Sequence, residues 1–380
     1  MEKKKVIILG AGLVGRPMAL DLFGDGTYKI AVADLSKQAL DQIEESGILK
    51  IRTDLSEENE LKALVTDYDL IVNAVPGSLG YRTLKWCVEE GKDVVDIAFY
   101  PEDPLEFDKL AKEKNVRVIC DMGVAPGMSN LLAGYAVSQL DEVEKIAIYV
   151  GGLPKVRTKP WEYKAVFSPA DVIEEYTRPA RLIESGEIVT KPPLTEIELL
   201  EFDRIGTLEA FNSDGLRSLM FTLKAKHMKE KTLRYPGYAE KIRLLSDNGF
   251  FEKEEIEING RQVSPLEMTS KLLFDQWKLQ PGEVDLTVMR IIVEGKHEKG
   301  NARYTFDLHD EYDPKSNIHS MARTTGYSAT MAVRMLLKDI YTTPGITVPE
   351  YLGKNRQIVD FILDGLKERG IVYKMRLEKI

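Results

Sequence analysis

Residues 6–15 read VIILGAGLVG, and this stretch decides the architecture. Val6 to Leu9 form an apolar run that suits a strand buried on both faces. Gly10, Gly12 and Gly15 follow at once in the spacing Gly-x-Gly-x-x-Gly, and residues 16–23, RPMALDLF, continue with helical spacing. In a strand–turn–helix of this kind Gly10 permits the tight turn. Gly12 lets a pyrophosphate approach the backbone, and Gly15 lets the helix pack against the sheet. Leu13 and Val14 complete the turn, and the helix N-terminus turns free N–H groups and a partial positive charge toward the phosphates. Pro17 sits least comfortably, since proline is tolerated best in the very first helical turn.

Glycine spacing alone also describes an ordinary glycine-rich turn, so the next segment matters. Ile30 to Ala33 form a second apolar run that ends in Asp34, 19 residues after Gly15. A dinucleotide site places a carboxylate there, against the ribose 2′-hydroxyl. Asp34 also reads as a turn or capping residue, with Ser36 equally able to cap the next helix. A carboxylate at this point repels a 2′-phosphate, so the expected cofactor is NAD, with NADP kept as the alternative by nearby Lys37.

The alternation then continues. Strand-like runs at 48–53, 69–75, 93–98 and 116–121 are separated by helical patterns at 56–66, 79–90 and 103–114. This predicts a doubly wound parallel sheet, in which ligands bind at the carboxyl ends of the strands. Those ends carry Asp54, the NAVPG of residues 73–77, the DIAFYPED of 96–103 and the DMGVAPG of 121–127. Asp54, Ala74, Val75 and Pro76 are therefore expected beside the cofactor. Asp121 and Asp96 are the candidate catalytic carboxylates; an Asp before a glycine turn also serves simply to bond backbone N–H groups. Tyr100, Ser129 and Asn130 are expected on the substrate side, and Ser129-Asn130 also read as the cap of the helix that follows.

The middle of the chain differs. Ile146 to Val150 is strand-like, and the β-formers of 285–294 and 303–312, joined by the polar GKHEKGNA, predict a long hairpin in a largely antiparallel sheet. From residue 320 helical spacing returns. The expected division is a dinucleotide-binding domain of residues 1–122 plus 318–380, with residues 123–317 inserted as a substrate-binding and dimerisation domain.

Composition narrows the chemistry. The 380 residues are 43% hydrophobic and 30% charged, as in soluble globular proteins, with a net charge of −9 that carries no nucleic-acid footprint. No apolar run is long enough for a membrane span or a signal peptide. Cys87 and Cys120 are the only cysteines, which fits a reducing, cytoplasmic location without disulfides. The chain has neither His-Glu-x-x-His nor Cys-x-x-Cys, and its four histidines, 227, 297, 309 and 319, are scattered, so no metal site is expected. It also lacks a Gly-x-Ser-x-Gly elbow and a phosphate-binding Gly-Lys-Ser/Thr loop.

Further pieces carry a resemblance: DMGVAPGMSN, YVGGLP, YKAVFSPADVIEEYTRPARLI, LEAFNSDGLRSL, KTLRYPGY and GITVPE, in that order and from end to end. With GAGLVG they resemble the saccharopine reductase and lysine 6-dehydrogenase family, and GVAPGMSN, EYTRPA and EAFNSDG look closest to its lysine 6-dehydrogenases. The resemblance implies an α/β protein in which a Rossmann doubly wound parallel sheet carries an inserted α/β domain holding the substrate site and much of a homodimer or higher homo-oligomer contact. It implies NAD(P)-linked chemistry at a carbon–nitrogen bond of a small lysine-derived amino acid. It also implies a substrate-carboxylate role for Arg234, with Arg178 as runner-up; a guanidinium fork suits that role because it binds a carboxylate bidentately. Two positions depart from the pattern: Tyr238 stands where related sequences often have His, and Ala125 where saccharopine reductases typically have Asp. The expected reaction is oxidative deamination of L-lysine at its ε-carbon. Saccharopine reduction is the alternative enzyme, and a non-catalytic dinucleotide sensor the alternative of another class.

Overall fold

The computed structural model describes residues 3–166, 169–298 and 300–380. Phe167 and Ser168 of the YKAVFSPAD motif and Lys299 of the GKHEKGNA turn lie outside the described residues. Two compact units are formed, residues 1–139 with 322–372 and residues 140–321 with 373–380.

The first unit alternates as its sequence dictates: β1 (Lys5–Leu9), α1 (Gly15–Gly24), β2 (Lys29–Asp34), α2 (Lys37–Asp41), β3 (Leu49–Arg52), α3 (Glu58–Val65), β4 (Leu70–Asn73), α4 (Gly77–Glu89) and β5 (Asp93–Asp96). After a short 3-10 turn come α5 (Asp108–Glu113), β6 (Arg117–Ile119) and α6 (Met128–Val137). β1 is buried from Val6 to Leu9 and β4 throughout, as expected of strands covered on both faces. Pro17 falls in the first turn of α1, where its missing N–H breaks no helical bond.

The second unit contains β7 (Glu142–Pro154), α7 (Pro169–Thr177), β8 (Ala180–Glu184), β9 (Glu187–Lys191), β10 (Glu198–Phe202), β11 (Gly206–Asn212), α8 (Leu219–Thr222), β12 (His227–Arg234) and α9 (Tyr238–Asp247). A small hairpin, β13 (Ile256–Ile258) and β14 (Arg261–Val263), precedes α10 (Pro265–Trp277) and the long hairpin of β15 (Asp285–His297) and β16 (Gly300–Glu311). Then follow α11 (Ser320–Leu337), β17 (Gly345–Thr347), α12 (Pro349–Gly353), α13 (Arg356–Glu368) and β18 (Tyr373–Lys379).

The sheet of the first unit is parallel throughout, in the order β17-β6-β5-β4-β1-β2-β3. Its reversal between β1 and β4 makes the carboxyl ends of those two strands the switch point of a doubly wound fold. The seventh strand, β17, is not legible in the sequence pattern: it is three residues long, opens on Gly345 and is set by its pairing with β6. The second sheet runs β10-β11-β12-β7-β15-β16-β18, with β8 attached to β12 and β9 to β8. It is largely antiparallel, with one parallel pairing between β12 and β7. β18 pairs with β16, so residues 373–380 join the second unit rather than the first. Its alternating but exposed pattern, with Met375 and Leu377 half open to solvent, is that of an edge strand.

Neighbouring residues of β11 face opposite sides of this sheet, as the two-residue period requires. Phe211 enters an aromatic cluster with Tyr163, Tyr176, Tyr238 and Trp277, whereas Ala210 enters an aliphatic one with Leu208, Leu233 and Val288.

Candidate functional site

The turn after β1 is shaped by steric necessity. Gly10 has φ of +110°, and a Cβ there would lie 2.5 Å from the Ala74 carbonyl oxygen. A Cβ on Gly15 would lie 2.0 Å from the carbonyl oxygen of Gly10. Gly12 differs, since nothing stands within 4 Å of its missing Cβ. Gly10 and Gly15 are thus demanded by the chain's own packing, while Gly12 leaves the backbone open to a ligand. Ala74 N–H donates to Leu9 O at 3.0 Å, which sets the exit of β4, with Val75 buried and Pro76 at the start of α4, alongside the glycine turn. Leu13 is largely exposed in that turn, and Leu35 equally so at the end of β2.

Asp34 braces this turn. Its Oδ2 accepts a 2.7 Å hydrogen bond from Ala11 N–H and its Oδ1 another from Ser36 N–H. Ser36 caps α2 by accepting from Ala39 N–H, so the turn and capping readings of this segment are the ones its hydrogen bonds express. Arg52 stands opposite Asp34 in the β2–β3 register and donates Nε to Leu35 O at 3.2 Å. Sequence reasoning missed it; the available signal was a basic residue ending the third strand beside the acidic end of the second. Asp54 takes both the Ser56 hydroxyl and N–H on Oδ1, bonds that hold its carboxyl below the usual range. An open glycine cradle, a helix N-terminus and a carboxylate ending β2 together fit an NAD(P).

The exits of β5 and β6 hold a pair of carboxyl groups. Asp96 is fully buried; Oδ1 accepts from Ala98 N–H and Oδ2 from the Tyr100 hydroxyl, both at 2.8 Å. Met122 N–H donates to Asp96 O at 3.0 Å, joining the two exits. Asp121 follows β6 with φ of +53° and is 6% exposed. Burial pushes the Asp96 carboxyl up to about 7, partly offset by its hydrogen bonds and reinforced by the charge of Asp121. Asp96 therefore holds a proton near neutrality, at the strand exit next to that of Asp121. Tyr100 is 1% exposed, and burial pushes its phenol far up, so it stays protonated and donates to Asp96. It is positioned to orient that acid.

Ser129 and Asn130 do not cap α6, contrary to the sequence expectation. The helix begins at Met128 with Gly127, φ +134°, at its N-cap. Met128 and Ser129 donate their N–H groups to Gly123 O and Val124 O, so the turn's own carbonyls satisfy the helix start. Ser129 Oγ donates to Asn130 Oδ1, and Asn130 Nδ2 donates to Glu350 Oε2 at 3.3 Å, tying α6 to α12 inside the first unit.

In the second unit Arg234 ends β12 and is 2% exposed. Nη1 donates to Leu233 O at 2.9 Å; Nη2 donates to Glu175 Oε2 at 3.0 Å and to the Tyr176 hydroxyl at 3.3 Å. Nε is buried with no hydrogen-bond partner among the described residues. The guanidinium lies 4.5 Å from the Tyr163 ring centroid and 5.8 Å from that of Tyr238. Burial pushes all three phenols, Tyr163, Tyr176 and Tyr238, upward, so the cage stays neutral. The Tyr238 hydroxyl shares a 2.9 Å hydrogen bond with the Tyr176 hydroxyl.

Arg234, Thr232 and Glu230 alternate along β12 and so share one face of it. Glu230 is a functional candidate that the sequence reading did not single out, because nothing local distinguishes it from Lys229 or Lys231. It is 4% exposed and accepts from the Ser213 hydroxyl at 2.7 Å. Burial pushes it up to about 8, and the charges of Glu175 and Asp214 add to the rise. Asp214 is in turn paired with Arg181 through both carboxylate oxygens. Arg178, the runner-up, pairs with the exposed Glu174 one turn back on α7.

Among the described residues no group of three or more His, Cys, Asp or Glu side chains is arranged to hold a metal ion, and no helix is long and apolar enough to cross a membrane.

The family model described as the saccharopine dehydrogenase NADP binding domain matches residues 6–119, and that described as the saccharopine dehydrogenase C-terminal domain matches residues 123–371. The chain is 25% identical to the mitochondrial alpha-aminoadipic semialdehyde synthase of Bos taurus, over 98% of its own length and 47% of that protein. It is 26% identical to the saccharopine dehydrogenase [NADP(+), L-glutamate-forming] of Pyricularia oryzae, over 72% of its length and 64% of that protein. The chain spans about half the length of the first of these relatives. A solved structure, apo saccharopine dehydrogenase (L-Glu forming) from Saccharomyces cerevisiae, shares the fold with a TM-score of 0.82 at 19% identity, covering 99% of this chain and 100% of that one.

Proposed function

This chain belongs to the saccharopine dehydrogenase family, and from that premise we propose that it is an oxidoreductase that oxidatively deaminates L-lysine at the ε-carbon with NAD. The observation that carries the choice of substrate is the charge balance around Arg234. One buried guanidinium is paired with Glu175, while Asp214, near Glu175's neighbour Glu230, already neutralises Arg181. Such a surrounding suits a ligand with one carboxylate and two amines. Saccharopine carries three carboxylates and calls for more unpaired cations.

The glycine turn, Ala74 to Pro76 and Asp34 would hold the cofactor, which when bound supplies the hydride acceptor. Everything else falls to the chain. An ε-ammonium cannot release a hydride, and a free lysine amine titrates near ~10.4, so a proton must first leave the nitrogen. The carboxylate partner in the Asp96–Asp121 pair accepts it, and Tyr100 fixes the orientation of Asp96 while this happens. Loss of hydride from Cε leaves a substrate iminium. Water adds to that carbon, the carbon–nitrogen bond breaks, and ammonia departs with the returned proton. The product is 2-aminoadipate 6-semialdehyde, which closes on its own α-amine to a cyclic imine. Arg234 is the residue proposed to bind a substrate α-carboxylate.

The second reading is a saccharopine reductase. It is favoured by the Pyricularia oryzae relative being a saccharopine dehydrogenase [NADP(+), L-glutamate-forming] and by Arg52 beside Asp34, a cation suited to a 2′-phosphate. Turnover assays separate the two. Reduction of NAD with L-lysine and release of ammonia support the proposal; reaction only with saccharopine and NADP overturns it in favour of the second reading.

A further inference from the structure

Arg234 already has a carboxylate on it. Glu175 Oε2 sits 3.0 Å from Nη2, while Nε, buried among aromatic rings, has no hydrogen-bond partner among the described residues. A buried donor left unpaired is costly, and Nε is the atom left to receive an incoming carboxylate. That carboxylate would land beside the one Glu175 carries. Two anions on one guanidinium, screened little in a buried setting, repel each other. A ligand relieves the repulsion when it carries a cation next to its carboxylate. An α-amino acid head group does so.

Resting on the reading of Arg234 as the carboxylate anchor, we propose that Glu175 is a specificity-determining residue that binds the substrate's α-ammonium, so that the Arg234–Glu175 pair is a receptor for a zwitterionic amino-acid head group. Glu175 is a quarter exposed, against 3% for the Arg234 side chain, so the carboxylate is the more accessible half of the pair. Glu230 supports the assignment from behind. Its carboxyl retains a proton at neutral pH, which leaves the negative charge next to Arg234 on Glu175. The neutral hydroxyls of Tyr163 and Tyr176 supply hydrogen-bonding capacity without a competing charge. The pair thus rejects plain carboxylic acids by repulsion and plain amines by an unmatched guanidinium, a discrimination built from unfavourable as well as favourable contacts.

The test is calorimetric binding to the full chain of three probes: L-lysine, 6-aminohexanoate, which lacks the α-amine, and cadaverine, which lacks the α-carboxylate. L-Lysine should bind at least ~10-fold tighter than either, the range of one charge-assisted hydrogen bond. Glu175→Gln should erase the preference for L-lysine over 6-aminohexanoate, weakening the first by about 10-fold or more while the second holds or tightens. Glu175→Asp should keep part of the preference, which guards against a variant that merely misfolds. If Glu175→Gln tightens both carboxylate-bearing probes alike, Glu175 is only a placeholder on Arg234 and the proposal falls. It falls also if the variant leaves L-lysine binding unchanged. Failure of the lysine-oxidation reading looks different: the binding pattern persists while NAD is not reduced with L-lysine.

Discussion

The Tyr100 hydroxyl donates a 2.8 Å hydrogen bond to Oδ2 of the fully buried Asp96. This bond opposes the rise that burial imposes on the Asp96 carboxyl. Tyr100→Phe should therefore move the group further upward, by up to about one unit if a neutral hydrogen bond of ~0.5–1.5 kcal/mol is lost. The check is the pH dependence of kcat/KM, in which the limb assigned to this pair should shift to higher pH. An unmoved profile with lowered activity would mark Tyr100 as a packing residue.

Asp96 also makes stability depend on pH. Its folded value of about 7 lies above the ~3.9 of an unfolded Asp. Between these values the folded chain holds a proton that the unfolded chain has lost, so stability falls as pH rises from about 4 to about 7 and levels off beyond. Asp96→Asn should flatten that decline and gain relative to the parent toward neutral pH. Denaturant titrations of both proteins across the range measure the difference in slope. Turnover of the same variant should drop about 100-fold or more if the pair moves a proton.

Gly12 and Gly15 separate packing from ligand approach. Gly15→Ala drives a Cβ to 2.0 Å from Gly10 O and should destabilise the free protein. Gly12→Ala meets nothing within 4 Å and should leave the melting temperature of the free protein unchanged. It should nevertheless weaken dinucleotide binding by about 10-fold or more, because the methyl stands where a phosphate must approach. Dinucleotide titrations paired with melting curves test both variants; normal binding by Gly12→Ala would remove the cradle assignment.

Asp34→Ser deletes the carboxylate proposed to bind the cofactor ribose, which also braces Ala11 N–H. NAD should weaken by an order of magnitude or so, the worth of a charged hydrogen bond. NADP should weaken less, because repulsion of the 2′-phosphate is gone and Arg52 remains nearby. The ratio of the two dissociation constants is the readout. A constant ratio would show that Asp34 acts only on the turn.

Arg234→Lys keeps the charge and loses the fork that reaches Leu233 O, Glu175 and Tyr176 together. Binding of a carboxylate-bearing substrate should weaken on the order of 10–150-fold. NAD affinity should stay near normal, since the glycine turn belongs to the other unit. Steady-state kinetics with L-lysine and with cadaverine should show the loss confined to the first.

The sequence by itself determined the first unit's sheet up to β6. Each of its strands and helices announces itself through local periodicity, and the glycine turn is written in three residues because backbone sterics are a local matter. The candidate anchor Arg234 was also legible, from a short motif around a turn. Tertiary structure decided what those residues meet. Glu175 lies 59 positions from Arg234 in sequence, and Asp96 lies 25 from Asp121. The short β17 and the exposed edge strand β18 owe their existence to partners, β6 and β16, laid down far earlier in the chain. Ser129 and Asn130 have the composition of a helix cap, yet the carbonyls of Gly123 and Val124 had already satisfied the helix start. The raised carboxyls of Asp96 and Glu230 arise from burial and from charges brought in by other strands and helices. A residue's backbone preference travels with its near neighbours, but its dielectric surroundings and its charge partners exist only once distant segments have packed around it.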